Sequence, residues 1–263
     1  MTIERFVPQL APAPTCLLCG DKRMNGLNCA AASEAMWLYR ASQGRIVTDA
    51  CHVRDLTDDC EGGLRLSQMQ TVSAMYGITT GKLYQPIDFD QVAAWVRTGR
   101  YGSHLNLSYA PFVGTPYDRF AGRFRGNHDV FLSGPGASGT LRVGDPGATA
   151  FHDIPTSLLK TAAGRLALSS FTDLNEEYGG GKCYAYVTPI DPATPATTYH
   201  VSITGPTPLY VSPSGVRAGG VNRASYTVRR KKSGGLWWYQ ILGTGTHANK
   251  WFKPSRYTRI TLV

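Results

Sequence analysis

The chain has 263 residues, 42% of them hydrophobic and 17% charged, which suffices for one large and one small domain of ordinary globular composition. No run approaches the roughly 18 to 20 apolar residues of a membrane span, and the opening MTIERFVPQLAPAP lacks the basic start, long apolar stretch and cleavage site of a secretory signal, which predicts synthesis in a cytoplasm. The formal net charge of +9 resides in one segment: Ala196 to Val263 carries ten Lys and Arg and no Asp or Glu, whereas the rest of the chain holds 17 basic and 18 acidic residues. That asymmetry points to an anionic partner for the tail segment, such as nucleic acid, a membrane face or an acidic cell-wall polymer.

In chain order, Pro8 to Gly26 is rich in Pro, Gly and small residues and reads as an extended arm and loop. Cys29 to Ser42 reads as a helix, with Asn28 as its N-cap and Ala32, Met36 and Tyr39 sharing a face. A short helix over Thr48 to Leu56 and a longer one over Leu66 to Tyr76, stopped by Gly77, follow. Asp88 to Thr98 is a fourth helix, with Gly99 as its stop. Short strands are then predicted over Ser103–Ser108, Asp129–Ser133, Thr140–Val143 and Cys183–Thr188. Helices first and strands after predict an α+β domain over residues 1–190. Residues 191–197 are Pro-rich and read as a linker. From 198 to 263, strand-like pieces broken by Gly-rich turns predict a small β-barrel.

The chemistry concentrates in three residues. Cys29 opens a predicted helix, where unpaired N–H groups and the helix dipole favour a thiolate; a buried, inert cysteine is the alternative. The stretch Asn127–Gly147 reads as two strands around GPGASG. A hairpin symmetric about Gly136 and Ala137 would set His128 directly opposite Asp145, with Cβ atoms about 5 Å apart, so that the carboxylate orients the imidazole. Asp129, of opposite parity, would face away. The alternative makes His128 and Asp145 ordinary polar strand-end residues.

Six cysteines are present, and five fall within the first 60 residues: Cys16, Cys19, Cys29, Cys51 and Cys60, with Cys183 the sixth. Free thiols, a metal site or a reactive cysteine are expected before a disulfide framework. Cys16-Leu-Leu-Cys19-Gly resembles a zinc knuckle, with Cys51, His52 and Cys60 as further candidate ligands; structural zinc, disulfides and free thiols all stay open. His52, His104, His152, His200 and His247 have no evident partners in the sequence.

Taken together, NCAAASEAM, EGGLRLSQMQTVSAMYGI, DFDQVAAWVRTGRYGSHLNL, HDVFL and VGDPG, in that order from about Phe6 to Leu159, resemble the papain-like fold and, more closely, the C39-like peptidases. The resemblance implies amide-bond hydrolysis without a cofactor. Cys29 would be the nucleophile, His128 the proton carrier, Asp145 its orienting partner, and the Cys29 backbone N–H one oxyanion donor. The family's usual Gln shortly before the nucleophile is missing between Gly20 and Asn28. Asn25 is the replacement expected, with Gln9 reaching across an inserted loop as the other choice. A relative that keeps the fold without activity is the alternative.

The tail segment, with LYVSPSGVRAG, LWWYQIL and KWFKPSRY, resembles bacterial SH3-type domains, which implies binding to cell-wall peptides or polymers. A module that only packs against a neighbour is one alternative. Arg229, Arg230, Lys231 and Lys232 near Trp237 and Trp238 also permit nucleic-acid binding by charge and stacking, but no nucleic-acid motif accompanies them. A peptidase joined to a wall-binding module implies a bacteriophage lysin or tail-borne wall hydrolase, with peptidoglycan and other tail proteins as partners. The rivals are a structural virion protein and a leader-processing peptidase.

Overall fold

The computed structural model describes residues 3–9, 26–57, 62–76, 78, 80, 83–84, 88–164, 185–190, 199–213, 215–233, 236–242, 246–255 and 257–262. Cys16, Cys19, Asn25, Cys60, Gly77, Cys183 and the Pro-rich stretch 191–197 lie outside the described residues. Its first part runs α1 (Cys29–Ala41), α2 (Ala50–Thr57), α3 (Leu66–Met75), β1 (Leu83–Tyr84), α4 (Phe89–Arg97), β2 (Tyr101–Ser108), β3 (Asn127–Pro135), β4 (Thr140–Gly144), β5 (His152–Pro155), α5 (Thr156–Ala163) and β6 (Ala185–Pro189). Its second part runs β7 (Tyr199–Ile203), β8 (Thr207–Tyr210), β9 (Arg217–Val221), β10 (Ala224–Ser233), β11 (Leu236–Ile241), β12 (Trp251–Phe252) and β13 (Thr258–Leu262). The described chain is α+β, with two antiparallel sheets.

Helix α1 forms because its alanines, Met and Leu cost little to order. It is buried on nearly every side from Ala30 to Ala41, rather than along the single face expected. Two glycines in the sheet beneath it admit its large side chains. A Cβ on Gly102 would lie 2.6 Å from the Trp37 ring, and one on Gly144 would lie 2.7 Å from the Met36 sulfur. Helix α4 begins where sequence places it, with the Asp88 side chain accepting from the Gln91 N–H at 3.2 Å. Strand β5 and helix α5 were not anticipated by sequence.

The first sheet has the order β1-β6-β2-β3-β4-β5. Side chains alternate across it. Phe131 faces the core shared with α1, while Val130 and Leu132 face a second core shared with α4 and α5. The β3–β4 hairpin departs from the symmetric register. Phe131 pairs with Gly144 and Leu132 with Val143, and an irregularity between Leu132 and Gly134 resets the ladder to Gly134 with Arg142. His128 is therefore not directly opposite Asp145. The Phe131–Gly144 register is two residues from the expected one, and a shift of two preserves the face on which each side chain stands.

The second sheet has the order β13-β7-β10-β11-β12-β8-β9. Among the described residues no ladder joins β13 to β9, so the closure of the expected small barrel is not seen among them. Its buried residues, including Val201, Ile203, Tyr239 and Ile260, share one core with α1, α2 and α3. Trp238 is buried and meets Tyr210 edge-on at 5.2 Å between centroids, which removes it as a stacking platform.

Candidate functional site

The turn before Cys29 is held from behind. Arg54, fully buried on α2, donates from Nε to Asn28 Oδ1 at 2.7 Å and from a terminal nitrogen to the Leu27 carbonyl at 3.0 Å. Asn28 therefore serves Arg54, and its side chain makes no cap hydrogen bond to α1, contrary to expectation. Cys29 follows at the first turn of α1, partly exposed and as a free thiol.

His128 is the second residue of β3, opposite Leu107 of β2. Its Nε2 lies 2.7 Å from Asp145 Oδ1, and both side chains are 2% exposed. Asp145 follows the last residue of β4 and is fixed from two further directions. The Gly147 N–H donates to Oδ1 at 2.8 Å, and Tyr109 Oη lies 3.3 Å from Oδ2. The Tyr109 hydroxyl proton is shared with the Tyr117 carbonyl at 3.0 Å, and the same oxygen accepts from the Arg119 N–H at 2.9 Å. Around the imidazole stand Tyr109, Phe120 and Phe124, each edge-on, with centroids 5.2, 5.5 and 6.1 Å away. The segment between β2 and β3 thus walls the ring off from water.

Cys29 is near enough to the His128 ring to help raise its pKa. Asp145 engages Nε2 of the ring. Burial pushes the His128 pKa down, but the charge and hydrogen bond of Asp145, and then the Cys29 contact, outweigh it and raise the ring to about 10. Burial alone would raise Asp145; the His128 charge, reinforced by the Gly147 N–H and Tyr109, holds its carboxyl below the usual range. Burial, followed by the Asp145 charge, pushes the Tyr109 phenol up, so it stays a proton donor.

Asn25 lies outside the described residues. Gln9 is described and buried. Its backbone N–H donates to the Pro146 carbonyl at 3.0 Å, and its Nε2 donates to the Gly26 carbonyl at 3.3 Å. Gln9 thus bridges the turn before Cys29 and the turn after Asp145. An amide NH₂ carries two protons, and the Gly26 bond uses one.

Among the other histidines, His104 is fully buried and in contact with two carboxylates, Glu34 and Asp129, which correct its expected lack of partners. His52 is buried as well, and His247 meets the Tyr226 hydroxyl. Cys51 is disulfide-bonded, against the expected preference for free thiols or metal, and so is no zinc ligand. Among the described residues no group of three or more His, Cys, Asp or Glu could hold a metal ion. Among them too, no helix is long and apolar enough to cross a membrane.

No protein-family model matches the chain, and no curated protein matches it. A search of solved structures finds similarity to the crystal structure of Ly7917 with the hydrolyzing product of MDP, at 14% identity and a TM-score of 0.18. That similarity covers 60% of this chain and 61% of that one.

Proposed function

We propose that this chain is a papain-like cysteine peptidase that cleaves amide bonds in the peptide part of peptidoglycan. The observation that carries the reading is His128, buried against Asp145, wrapped in aromatic rings and close enough to Cys29 for the two to interact. Cys29 sulfur attacks the carbonyl carbon after its proton passes to His128, and His128 returns that proton to the leaving amine. Water then attacks the thioester, again through His128, and frees Cys29. Asp145 keeps the ring in one orientation, and Tyr109 and Gly147 keep Asp145 in place. The oxyanion is met by the Cys29 backbone N–H and by the second proton of Gln9 Nε2. The proposal places the peptidase in residues 1–190 and an SH3-like module in 198–263, whose ten cations face anionic wall polymers. It assigns the chain to a phage lysin or tail-borne wall hydrolase.

The test is release of free amino groups from purified peptidoglycan, before and after treatment with iodoacetamide. Untreated protein should release them steadily, and alkylation of Cys29 should stop the release. Walls that yield no amines with untreated protein would rule out this substrate. Release that survives complete alkylation of Cys29 would rule out the thiol mechanism.

Gln9→Ala should lower kcat by about 10²- to 10³-fold with little change in KM, since an oxyanion donor acts on the transition state. Steady-state kinetics on a soluble wall peptide measure this. An unchanged kcat would move the second donor elsewhere, with Asn25 the next residue to replace.

A further inference from the structure

Behind the site, a second group of ionisable side chains is buried where no catalytic step uses it. His104 of β2 places Nδ1 2.9 Å from Asp129 Oδ1 of β3 and Nε2 2.8 Å from Glu34 Oε2 of α1. The other Glu34 oxygen accepts from Ser73 Oγ of α3 at 2.6 Å, and Ser73 Oγ accepts from Trp37 Nε1 of α1 at 3.2 Å. The three ionisable side chains are at most 1% exposed. A second tie runs beside them, from Ser33 Oγ of α1 to the Asp129 carbonyl at 3.1 Å.

The connectivity gives this cluster a task. Glu34 and Ser33 sit on the helix that begins with Cys29, and Asp129 is the residue after His128. Residues 128 and 129 point to opposite faces of the strand. One face of β3 carries His128 with Asp145 and the other carries the cluster. We propose that His104 is a positioning residue that fixes the distance between Cys29 and His128 by locking α1 to β3 through Glu34 and Asp129. The inference rests on the peptidase reading of Cys29 and His128.

The lock is stiff for a physical reason. Any slide of α1 along the sheet would pull a buried carboxylate off its cation, and a buried charge without its partner is strongly disfavoured. An apolar contact would yield more gradually. The requirement is equally sharp, since a misplacement of about 1 Å between reacting groups can cost about 10²-fold in rate.

The test replaces the lock with packing: Glu34→Leu/His104→Leu/Asp129→Val. Full removal of a buried ion cluster is often neutral or stabilising, so this variant should unfold at or above the wild-type temperature. Its Cys29 should nevertheless lose the reactivity toward iodoacetamide at mildly acid pH that a neighbouring imidazolium gives a thiol, by at least about tenfold. A folded variant with the wild-type pH profile would overturn the proposal. If the triple variant does not fold, His104→Gln, which can still donate to one carboxylate, replaces it. A lowered acid limb in that variant supports the proposal, and an unchanged one overturns it. Failure of the peptidase reading looks different, because wild-type Cys29 would then show no acid limb and no response to His128→Ala.

Discussion

Cys29→Ala should abolish turnover while leaving the fold intact. Removal of an enzyme's nucleophile costs on the order of a millionfold in kcat, and removal of its base costs about as much, because the two act as one unit. His128→Ala should therefore resemble Cys29→Ala, and the double variant should be no worse than either. The fold should tolerate the first change, since Cys29 precedes Ala30, Ala31 and Ala32 in a helix start that already favours small residues. The measurement is amine release from walls, alongside thermal unfolding. A Cys29→Ala protein that keeps even a hundredth of the wild-type rate would show, against that about millionfold expectation, that the thiol is not the nucleophile.

Stability should fall steadily from neutral to alkaline pH, by several kcal/mol in all. His104 is raised to about 9: burial lowers it, but the charge and hydrogen bond of Asp129 and the contact with Glu34 prevail. His128 is raised to about 10. Both exceed the value of about 6.5 for imidazole in an unfolded chain. The folded state thus holds protons that the unfolded state has released. The stabilisation is complete below about pH 6.5 and declines as pH rises. It is gone once the pH passes about 9 for His104 and about 10 for His128. At about 1.4 kcal/mol per pKa unit, His104 alone accounts for roughly 3 kcal/mol. Asp145, held low by the same contact with His128, acts at the other end and loses its contribution as acid protonates it. Urea midpoints between neutral pH and about pH 10 measure the effect. A flat profile there would mean both imidazoles are neutral in the folded protein.

The first four helices are legible in the sequence because their signals are local. Alanine content marks α1, and Asp88 marks the start of α4. The meeting of His128 with Asp145 was foreseen from parity, though from a register two residues away from the one adopted. Period-two geometry forgives an even slip and would not have forgiven an odd one. Other features depend on distant partners. Glu34, His104 and Asp129 come from three elements, and nothing near His104 in the chain announces two carboxylates. Arg54 reads as an ordinary helix cation until Asn28 is found beside it. Edge pairing decides whether a sheet closes, and seven short strands with Gly-rich turns fit an open sheet as well as a barrel. The disulfide at Cys51 runs against the expectation that the missing secretory signal sets, since nothing in the cysteine spacing tells a disulfide from a thiol or a metal ligand.

The first residues of the chain have a consequence for the order of folding. Glu4 accepts from Ser133 Oγ, 129 positions away, at 2.7 Å and faces Arg142, 138 positions away, at 3.3 Å. Gln9 is fastened to Pro146 in the same way. Contacts so distant along the chain form only after the intervening segments have been ordered, because closing so long a loop early carries an entropic cost with little in return. A nascent chain presents Gln9 and Cys29 long before it presents His128 and Asp145. Refolding followed by circular dichroism should therefore run ahead of refolding followed by Cys29 reactivity, with the surroundings of Cys29 and His128 among the last parts of the molecule to form.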